Sequence, residues 1–168
     1  LRPFCDAHIP ILWRPFHETE GDWFWWGNCK KDVVKKLYRL MYNRYVNHFQ
    51  LNNLIWVFNS NKQECYPGDD VADIISCDMY PKPHCHTDHT KELQQLQKIT
   101  KAVKLYAIAE IGPIPDVRAV IEKGLSWSWY MTWSNEFGKT DAYTSKEELK
   151  KAYSYEHAVT LGRLPRLY

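Results

Sequence analysis

The sequence predicts an α/β fold in which parallel strands alternate with helices. Short apolar runs of strand length are followed by stretches with apolar residues every three or four positions, and this alternation occurs five times. The strand-like runs are apolar on both faces, as in a buried parallel sheet. The chain has 168 residues, of which 45% are hydrophobic, so we treat residues 1–168 as part of a single domain with its own core.

The elements follow one another without a linker, a repeat or a low-complexity tract. The predicted strands are 10–16, 54–59, 73–80, 104–112 and 126–133. The predicted helices cover 30–49, a polar segment with Leu93, Leu96, Ile99 and Val103 on one face, 117–122, and a last segment that begins at Ser145. The motif "SKEE" at Ser145 is a capping box, which marks the start of a helix.

Two architectures have this alternation: an open doubly wound sheet and a (β/α)₈ barrel. The 7 glycines form neither G-x-G-x-x-G nor a P-loop, so a nucleotide-binding sheet is not indicated. Polar and aromatic residues instead follow the strands, where barrel enzymes carry their active sites. These residues are His17, Glu18, Asn59, Asp78, Tyr80, Glu110 and Trp133. A complete barrel has eight units in about 250 residues, so five units leave three unaccounted for.

The composition argues against several classes of partner. The net charge of +2 gives no basic surface for nucleic acid. No stretch approaches the roughly 20 apolar residues that cross a membrane, so we expect no membrane partner.

The cysteines and histidines do not predict a metal site or a cofactor. The five cysteines match no zinc ribbon or disulfide framework, and we expect mostly free thiols. The segment "PHCHTDH" at 83–89 has zinc-like spacing, but we favour a solvated or substrate-bordering loop over a metal centre.

Two carboxylates end apolar strands, Glu18 after "WRPFH" and Glu110 within "AIAEIG". An acid and a base at a barrel rim, surrounded by tryptophans, suit cleavage of a glycosidic bond, because aromatic planes hold the apolar faces of sugar rings. The alternative is that both are solvated acids at strand ends, and the pattern by itself leaves this open.

The motifs "PILWRPFHETEGDWFWWG", "LIWVFNS" followed by "YPGDD", "DIISCDMYP" and "YAIAEIGPIPD", in this order, resemble glycoside hydrolase family 26. The resemblance extends from Pro10 to the C-terminal "LGRLP". The family consists mainly of endo-β-1,4-mannanases, which are (β/α)₈ barrels and retaining enzymes. Their acid/base follows the fourth strand and their nucleophile lies on the seventh. Counting from Glu18 on strand four places Glu110 on strand seven, so the chain resembles strands four to eight with their helices, without the first three units.

The resemblance implies a role for each site residue. Glu18 would be the general acid/base and Glu110 the nucleophile, supported by His17 and Tyr80. The substrate would be bound by Trp23, Phe24, Asp78 and Trp133. No metal or cofactor is implied. Arg14 is expected to pair with a buried carboxylate, and Asn59 to contact substrate. Three other tryptophans, Trp25, Trp26 and Trp56, are expected to pack beneath the rim.

The absent units allow three explanations. We favour the C-terminal five-eighths of a longer catalytic barrel; the others are a half-barrel completed by a second chain or by self-association, and a remnant that binds sugars without cleaving them. The expected substrate is β-mannan or a mannooligosaccharide, with β-1,3-xylan and mixed-linkage glucan as alternatives within the family. By the same analogy the protein acts outside the cell.

Overall fold

The computed structural model describes residues 1–27 and 30–164, and its centre is a curled sheet of five parallel strands. The strands are β1 (Ile11–Trp13), β2 (Leu54–Asn59), β3 (Ile74–Met79), β4 (Leu105–Ile111) and β5 (Trp127–Thr132). They lie side by side in chain order, and each neighbouring pair is parallel. This is the strand order of one arc of a (β/α)₈ barrel, so the predicted partial barrel is confirmed.

The helices are α1 (Arg2–Asp6), α2 (Lys31–Tyr42), α3 (Thr90–Leu96), α4 (Val117–Glu122) and α5 (Lys146–Ser154). Helices α2, α3 and α4 connect successive strands, whereas α1 precedes β1 and α5 follows β5. A π-helical segment, Asn43–His48, continues α2, and short 3₁₀ turns lie at Gln63–Cys65, Asn135–Phe137 and Leu161–Arg163. The Ser145 side chain accepts a hydrogen bond from the Glu148 amide, which confirms the predicted cap of α5. Within the described residues, we find no helix with both the length and the apolarity to span a membrane.

The core lies between the sheet and its helices. One cluster packs Phe58 of β2 and Ile75 of β3 against Leu93 and Leu96 of α3. A second surrounds Trp56 of β2 with Tyr38 of α2 and neighbouring apolar residues. Each fully buried Leu or Ile contributes roughly 1.5–3 kcal/mol of transfer free energy. The packing therefore holds the carboxyl ends of β2, β3 and β4 in a defined arrangement.

Two predicted elements are shorter than expected. The helix predicted to carry Val103 ends at Leu96. Ile99 beyond it is still buried in the core, whereas Val103 is fully exposed. Only Ile11–Trp13 of the predicted first strand pairs with β2. Phe16 has a positive φ of 54°, which is incompatible with a continued strand and turns the chain into the loop that carries Glu18.

Candidate active site

Three carboxylates meet at the carboxyl end of the sheet, where the sequence predicted a functional rim. Glu18 follows β1, Asp78 lies in β3 and Glu110 lies in β4. One oxygen atom from each of the three lies within 4.8 Å of the others. Residues separated by 92 positions in the chain are thus brought into one cluster by parallel strand pairing.

A β-bulge places two of these carboxylates side by side. The register between β3 and β4 shifts between Cys77 and Asp78, so that Cys77 pairs with Ile108 while Asp78 pairs with Glu110. Bulges commonly redirect side chains next to active sites. Here the shift brings Asp78 opposite Glu110.

Glu110 is the most enclosed of the three, with a side chain only 3% exposed. Its Oε2 accepts a hydrogen bond of 2.5 Å from the Tyr80 hydroxyl, and its Oε1 accepts one from the Arg14 guanidinium. The Nε2 atom of His17 lies 3.9 Å from the same Oε1. A buried carboxylate with a guanidinium and a hydroxyl at its two oxygens is held in a single orientation.

Arg14 bridges the two buried acids, as predicted from its position in the first strand. Its Nη1 atom lies 2.9 Å from Oδ2 and 3.2 Å from Oδ1 of Asp78, while Nη2 contacts Glu110. Burial raises the pKa of Asp78 to about 7, against the opposing effect of Arg14. Three acids this close resemble a cation site, but the guanidinium already supplies positive charge to two of them, so we assign no metal to the cluster.

The pKa shifts of Tyr80 and His17 favour the neutral form of both side chains, which act through hydrogen bonds and not through charge. Burial and the hydrogen bond to Glu110 both raise the pKa of Tyr80, so its hydroxyl keeps the proton that it donates. Burial, followed by the charge of Arg14, lowers the pKa of His17, which keeps the imidazole neutral at neutral pH.

Glu18 lies on a loop beyond the sheet and is only half-buried. Its Oε2 accepts a hydrogen bond of 2.6 Å from the Trp23 indole, and its backbone amide donates to Oδ1 of Asn59 at 3.2 Å. The backbone of Glu18 is left-handed, with a φ of 52°, which aims the side chain back towards the strand ends.

Asn59, which the sequence suggested as a substrate contact, is buried and bonded within the protein. Its amide nitrogen donates to Asp78 at 2.9 Å and to the Ser76 hydroxyl at 3.1 Å, while its oxygen accepts from the Glu18 amide. Asn59 therefore connects the exposed Glu18 loop to the buried acids.

The aromatic residues of the rim differ in exposure. Trp23 is 64% exposed and Trp133 is 43% exposed. Phe24 is half-buried and stacks on Trp26, with ring centroids 4.4 Å apart and planes within 9°. The ring of Phe24 also lies 4.8 Å from that of His17.

The expectation that three tryptophans pack beneath the rim is correct for two of them. Trp56 is buried in the core, and Trp26 is half-buried with its indole donating to the His17 carbonyl at 2.7 Å. For Trp25 the expectation is wrong, since it is 71% exposed. The turn that follows Glu18 directs this ring outwards, where it meets Phe16 and Trp26 at their edges.

Sequence reasoning missed two contributors to the site. One carboxylate oxygen of Glu20 accepts hydrogen bonds from the Ser60 hydroxyl and from the Asn61 amide, tying the Glu18 loop to the end of β2. The ring of Phe137, from the loop after β5, packs edge-on against Tyr80 with centroids 5.3 Å apart. Neither has a local signal, because an acid in a polar turn and a single Phe in a loop are common without a function.

The histidine-rich segment at 83–89 lies in the loop between β3 and α3. His86 contacts the Ile114 carbonyl through Nδ1 at 2.7 Å, and the buried His89 lies 3.7 Å from Glu92. Cys5, Cys65, Cys77 and Cys85 are free thiols. Cys29 and the Pro165 that ends "LGRLP" lie outside the described residues.

Comparisons with known proteins agree with this geometry. The sequence profile of glycosyl hydrolase family 26 matches residues 1–163. The chain is 41% identical, over 98% of its length, to 34% of a mannan endo-1,4-beta-mannosidase from Thermothelomyces thermophilus. It is 35% identical, over the same share of its length, to 27% of mannan endo-1,4-beta-mannosidase A from a Piromyces species.

A solved structure has the same arrangement of strands and helices. It is the beta-mannanase from a symbiotic protist of the termite Reticulitermes speratus, complexed with gluco-manno-oligosaccharide. The TM-score is 0.87 at 34% identity, over 98% of this chain and 51% of that chain. The present chain thus spans about half of the solved chain and about one third of the curated relatives. By its sequence profile and its fold, the chain belongs to glycosyl hydrolase family 26.

Proposed function

We propose that this chain provides the catalytic residues of a retaining endo-β-1,4-mannanase, with Glu110 as nucleophile and Glu18 as general acid/base. The observation that carries the proposal is the distance between the two side chains, whose nearer oxygens lie within 4.8 Å. Retaining glycosidases hold their two carboxyl groups about 5–5.5 Å apart, whereas inverting enzymes need about 6.5–9.5 Å so that a water molecule fits between the general base and the sugar.

In the first half of the reaction, a carboxylate oxygen of Glu110 attacks the anomeric carbon and forms an ester bond to the sugar. The bond to the leaving-group oxygen breaks, and this oxygen takes the proton from the Glu18 carboxyl. Glu110 thereby loses its negative charge and Glu18 gains one. The guanidinium of Arg14 and the hydroxyl of Tyr80, both on Glu110, hold the attacking carboxylate in place.

In the second half, water attacks the same anomeric carbon and the ester bond to Glu110 breaks. Glu18, now a carboxylate, accepts a proton from the water, which returns both residues to their starting states. Water must reach Glu18 at this step. The half-buried position of Glu18 on a loop, beside the exposed Trp23, leaves it open to solvent in a way that Glu110 is not.

The other site residues serve binding and orientation in this proposal. Neutral His17, whose Nε2 lies 3.9 Å from Oε1 of Glu110, forms a hydrogen bond with a substrate hydroxyl. Asp78 binds Arg14 and so holds the guanidinium next to the nucleophile. Trp133 and Trp23 lie beneath sugar rings on either side of the bond to be cleaved, and Phe24 borders the leaving group. Two findings support mannan as the substrate. The relatives are mannan endo-1,4-beta-mannosidases, and the beta-mannanase of the termite protist was solved with a gluco-manno-oligosaccharide.

Complete activity is proposed to require the rest of the barrel. The chain corresponds to about half of the solved relative. The edge strands β1 and β5 each pair with a neighbour on one side only in the described sheet, and such edges readily accept another strand. We propose that an N-terminal segment or a second chain supplies the missing units, and that the protein acts outside the cell, where mannan is found.

Reducing-sugar release from β-1,4-mannan tests the proposal. The chain is assayed alone and joined to the N-terminal barrel units of the Thermothelomyces thermophilus relative, each with Glu110→Gln and Glu18→Gln as matched variants. We expect the joined protein to release mannooligosaccharides, and the first product seen by proton NMR to have the β configuration.

The outcomes separate the alternatives. An α-configured first product would contradict the retaining mechanism and the role of Glu110. Cleavage of β-1,3-xylan or mixed-linkage glucan in place of mannan would keep the chemistry and overturn the substrate. A joined protein that binds mannan but cleaves none of the three polymers would make the chain a carbohydrate-binding fragment.

A further inference from the structure

A cavity of about 410 Å³ lies apart from the carboxylate cluster, between the loops that follow β3 and β4 and the helix α5. Its lining includes His86, Ile114, Val117, Ala152 and Tyr155. The residues around Glu18 and Asp78 line a different and smaller cavity of about 190 Å³, and the two cavities share no residue. A volume near 400 Å³ is within the usual range for small-molecule sites, about 300–1,000 Å³.

His86, one of the lining residues, has a buried acceptor atom that no described residue satisfies. The Nδ1 atom of His86 lies 2.7 Å from the carbonyl oxygen of Ile114. A carbonyl only accepts, so Nδ1 carries the proton and, in the neutral ring, Nε2 presents a lone pair. This Nε2 is buried and has no hydrogen-bond partner among the described residues. Buried polar atoms are normally paired, so the lone pair calls for a donor from a ligand or from water.

The charges around the cavity favour a neutral ligand. Its lining carries two cations, Arg118 and Lys151, and two acids, Asp116 and Glu148. Lys151 is paired with Glu148, and Nε of Arg118 lies 4.0 Å from Oε1 of Glu122, just outside the lining. The positive groups are thus balanced, and an anionic ligand gains little from them. Hydroxyl groups, which both donate and accept, match such a mixed rim.

The remaining lining is apolar or aromatic and is held in place by the fold. Ile114, Pro115 and Val117 form one side, and Tyr155 lies opposite with the Arg118 guanidinium 5.2 Å from its ring. The Ile114 amide donates to the hydroxyl of the buried Thr144 at 3.1 Å, which anchors this wall to the loop after β5. Apolar and aromatic walls with a few polar groups are typical of sites that bind sugar rings by their C–H faces.

We propose that this cavity is a second saccharide-binding site, in which a neutral pyranose donates a hydroxyl proton to Nε2 of His86 and packs against Tyr155. The site binds and does not cleave, and it would hold a mannan chain at a position removed from the carboxylate cluster. The choice of a mannan chain as the ligand rests on the proposed function, whereas the test is independent of hydrolysis, because binding is measured with the nucleophile removed.

The test is an NMR titration of the ¹⁵N-labelled Glu110→Gln chain with β-1,4-mannotriose. We expect saturable shifts at the amides of Ala152 and Val117 and in the His86 ring. His86→Phe, which keeps the ring but loses both nitrogens, and Tyr155→Leu should each weaken this binding by about tenfold, the effect of losing one good contact. Tyr153→Leu is the matched control, since Tyr153 lies two residues before Tyr155 near the end of α5, is exposed and does not line the cavity.

The titration of the Glu110→Gln chain with an intact cavity decides the outcome even where a cavity variant folds poorly. Near-UV circular dichroism identifies any variant that has lost tertiary structure, and the titration of the chain with an intact cavity does not depend on the variants. Shifts confined to the amides around Glu18 and Asp78 would overturn the proposal. Equal weakening by Tyr155→Leu and Tyr153→Leu would also overturn it, as would saturable shifts at these positions with inorganic phosphate and none with mannotriose.

Discussion

The two proposed catalytic carboxylates are held in opposite ways. Glu110 lies within β4, is almost completely buried, and has Tyr80 and Arg14 at its two oxygens. Glu18 lies on a loop beyond the three-residue strand β1, in a left-handed conformation, and its carboxylate bonds to the exposed Trp23. One acid belongs to the core of the sheet and the other to its rim.

The difference matches what each group has to do. A nucleophile needs a constant position before attack, and a buried site with a guanidinium and a hydroxyl at the two carboxylate oxygens provides it. A general acid/base must give a proton to the leaving oxygen and then take one from water, so it needs access to solvent and freedom to change partners. The contrast between core and rim therefore predicts which substitutions act on the chemistry and which act on the loop.

Glu110→Gln should have the largest effect, because it removes the attacking group and leaves an amide beside Arg14. We expect activity on mannan to fall on the order of 10⁴-fold to 10⁶-fold, with substrate binding largely retained. Single-turnover hydrolysis by the completed barrel measures this. Residual activity above one hundredth of the unmodified rate would contradict the assignment.

Glu18→Gln should be less harmful, and its effect should depend on the leaving group. Loss of proton transfer costs about 10²-fold to 10⁴-fold on mannan, but an aryl mannoside with an acidic phenol leaves without a proton. The ratio of the two rates, measured for Glu18→Gln and Glu110→Gln, separates the two roles. If both variants lose activity equally on the aryl substrate, the rim does not supply the acid.

Asp78 tests the buried side through the pH dependence of stability. Its folded pKa of about 7 lies above the unfolded value of about 3.9, so its contribution to stability is complete below about pH 4 and is lost as the pH rises to about 7. Relative to Asp78→Asn, the unmodified chain should lose up to about 4 kcal/mol of unfolding free energy across this range. Urea unfolding at several pH values measures the difference, and a constant difference would mean that burial does not control this group.

Tyr80→Phe removes one hydrogen bond from Glu110 and leaves the ring packing on Phe137. A hydrogen bond to a charged group is worth about 1.5–3 kcal/mol, so we expect kcat to fall about 10-fold to 100-fold. KM should change little, because the hydroxyl contacts the nucleophile and not the sugar. A change confined to KM would place Tyr80 in substrate binding instead.

Glu20→Gln should have the smallest effect and act on the rim alone. Its carboxylate ties the loop to Ser60 and Asn61, and the weakened contact should lower unfolding free energy by about 1 kcal/mol and raise KM a few-fold. Asp22→Asn is the matched control, an exposed acid in the same loop. Equal changes in the two variants would show that Glu20 does not anchor the loop.

Much of this architecture could be predicted from local sequence patterns. The five strands were found because buried parallel strands are continuous apolar runs, and Ser145 was found because capping is a contact between near neighbours. The sequence placed Glu110 on the fourth strand of this chain, and the structure has it in β4. Two wrong predictions also came from local patterns. Val103 fits the helical spacing of apolar residues, but the helix ends at Leu96. Trp25 has a side chain typical of a core, but it is exposed.

By itself, the sequence determined the order and type of the elements and the two acids that end apolar strands, because side-chain periodicity and strand ends are properties of short segments. Only the tertiary structure decided how those acids are held. The bulge that sets Asp78 opposite Glu110, the double contact of Arg14 and the link from Glu20 to Ser60 join residues 32 to 96 positions apart. Such contacts depend on strand register and loop direction, which no local pattern encodes. They explain why Glu110 is buried while Glu18 is only half-buried.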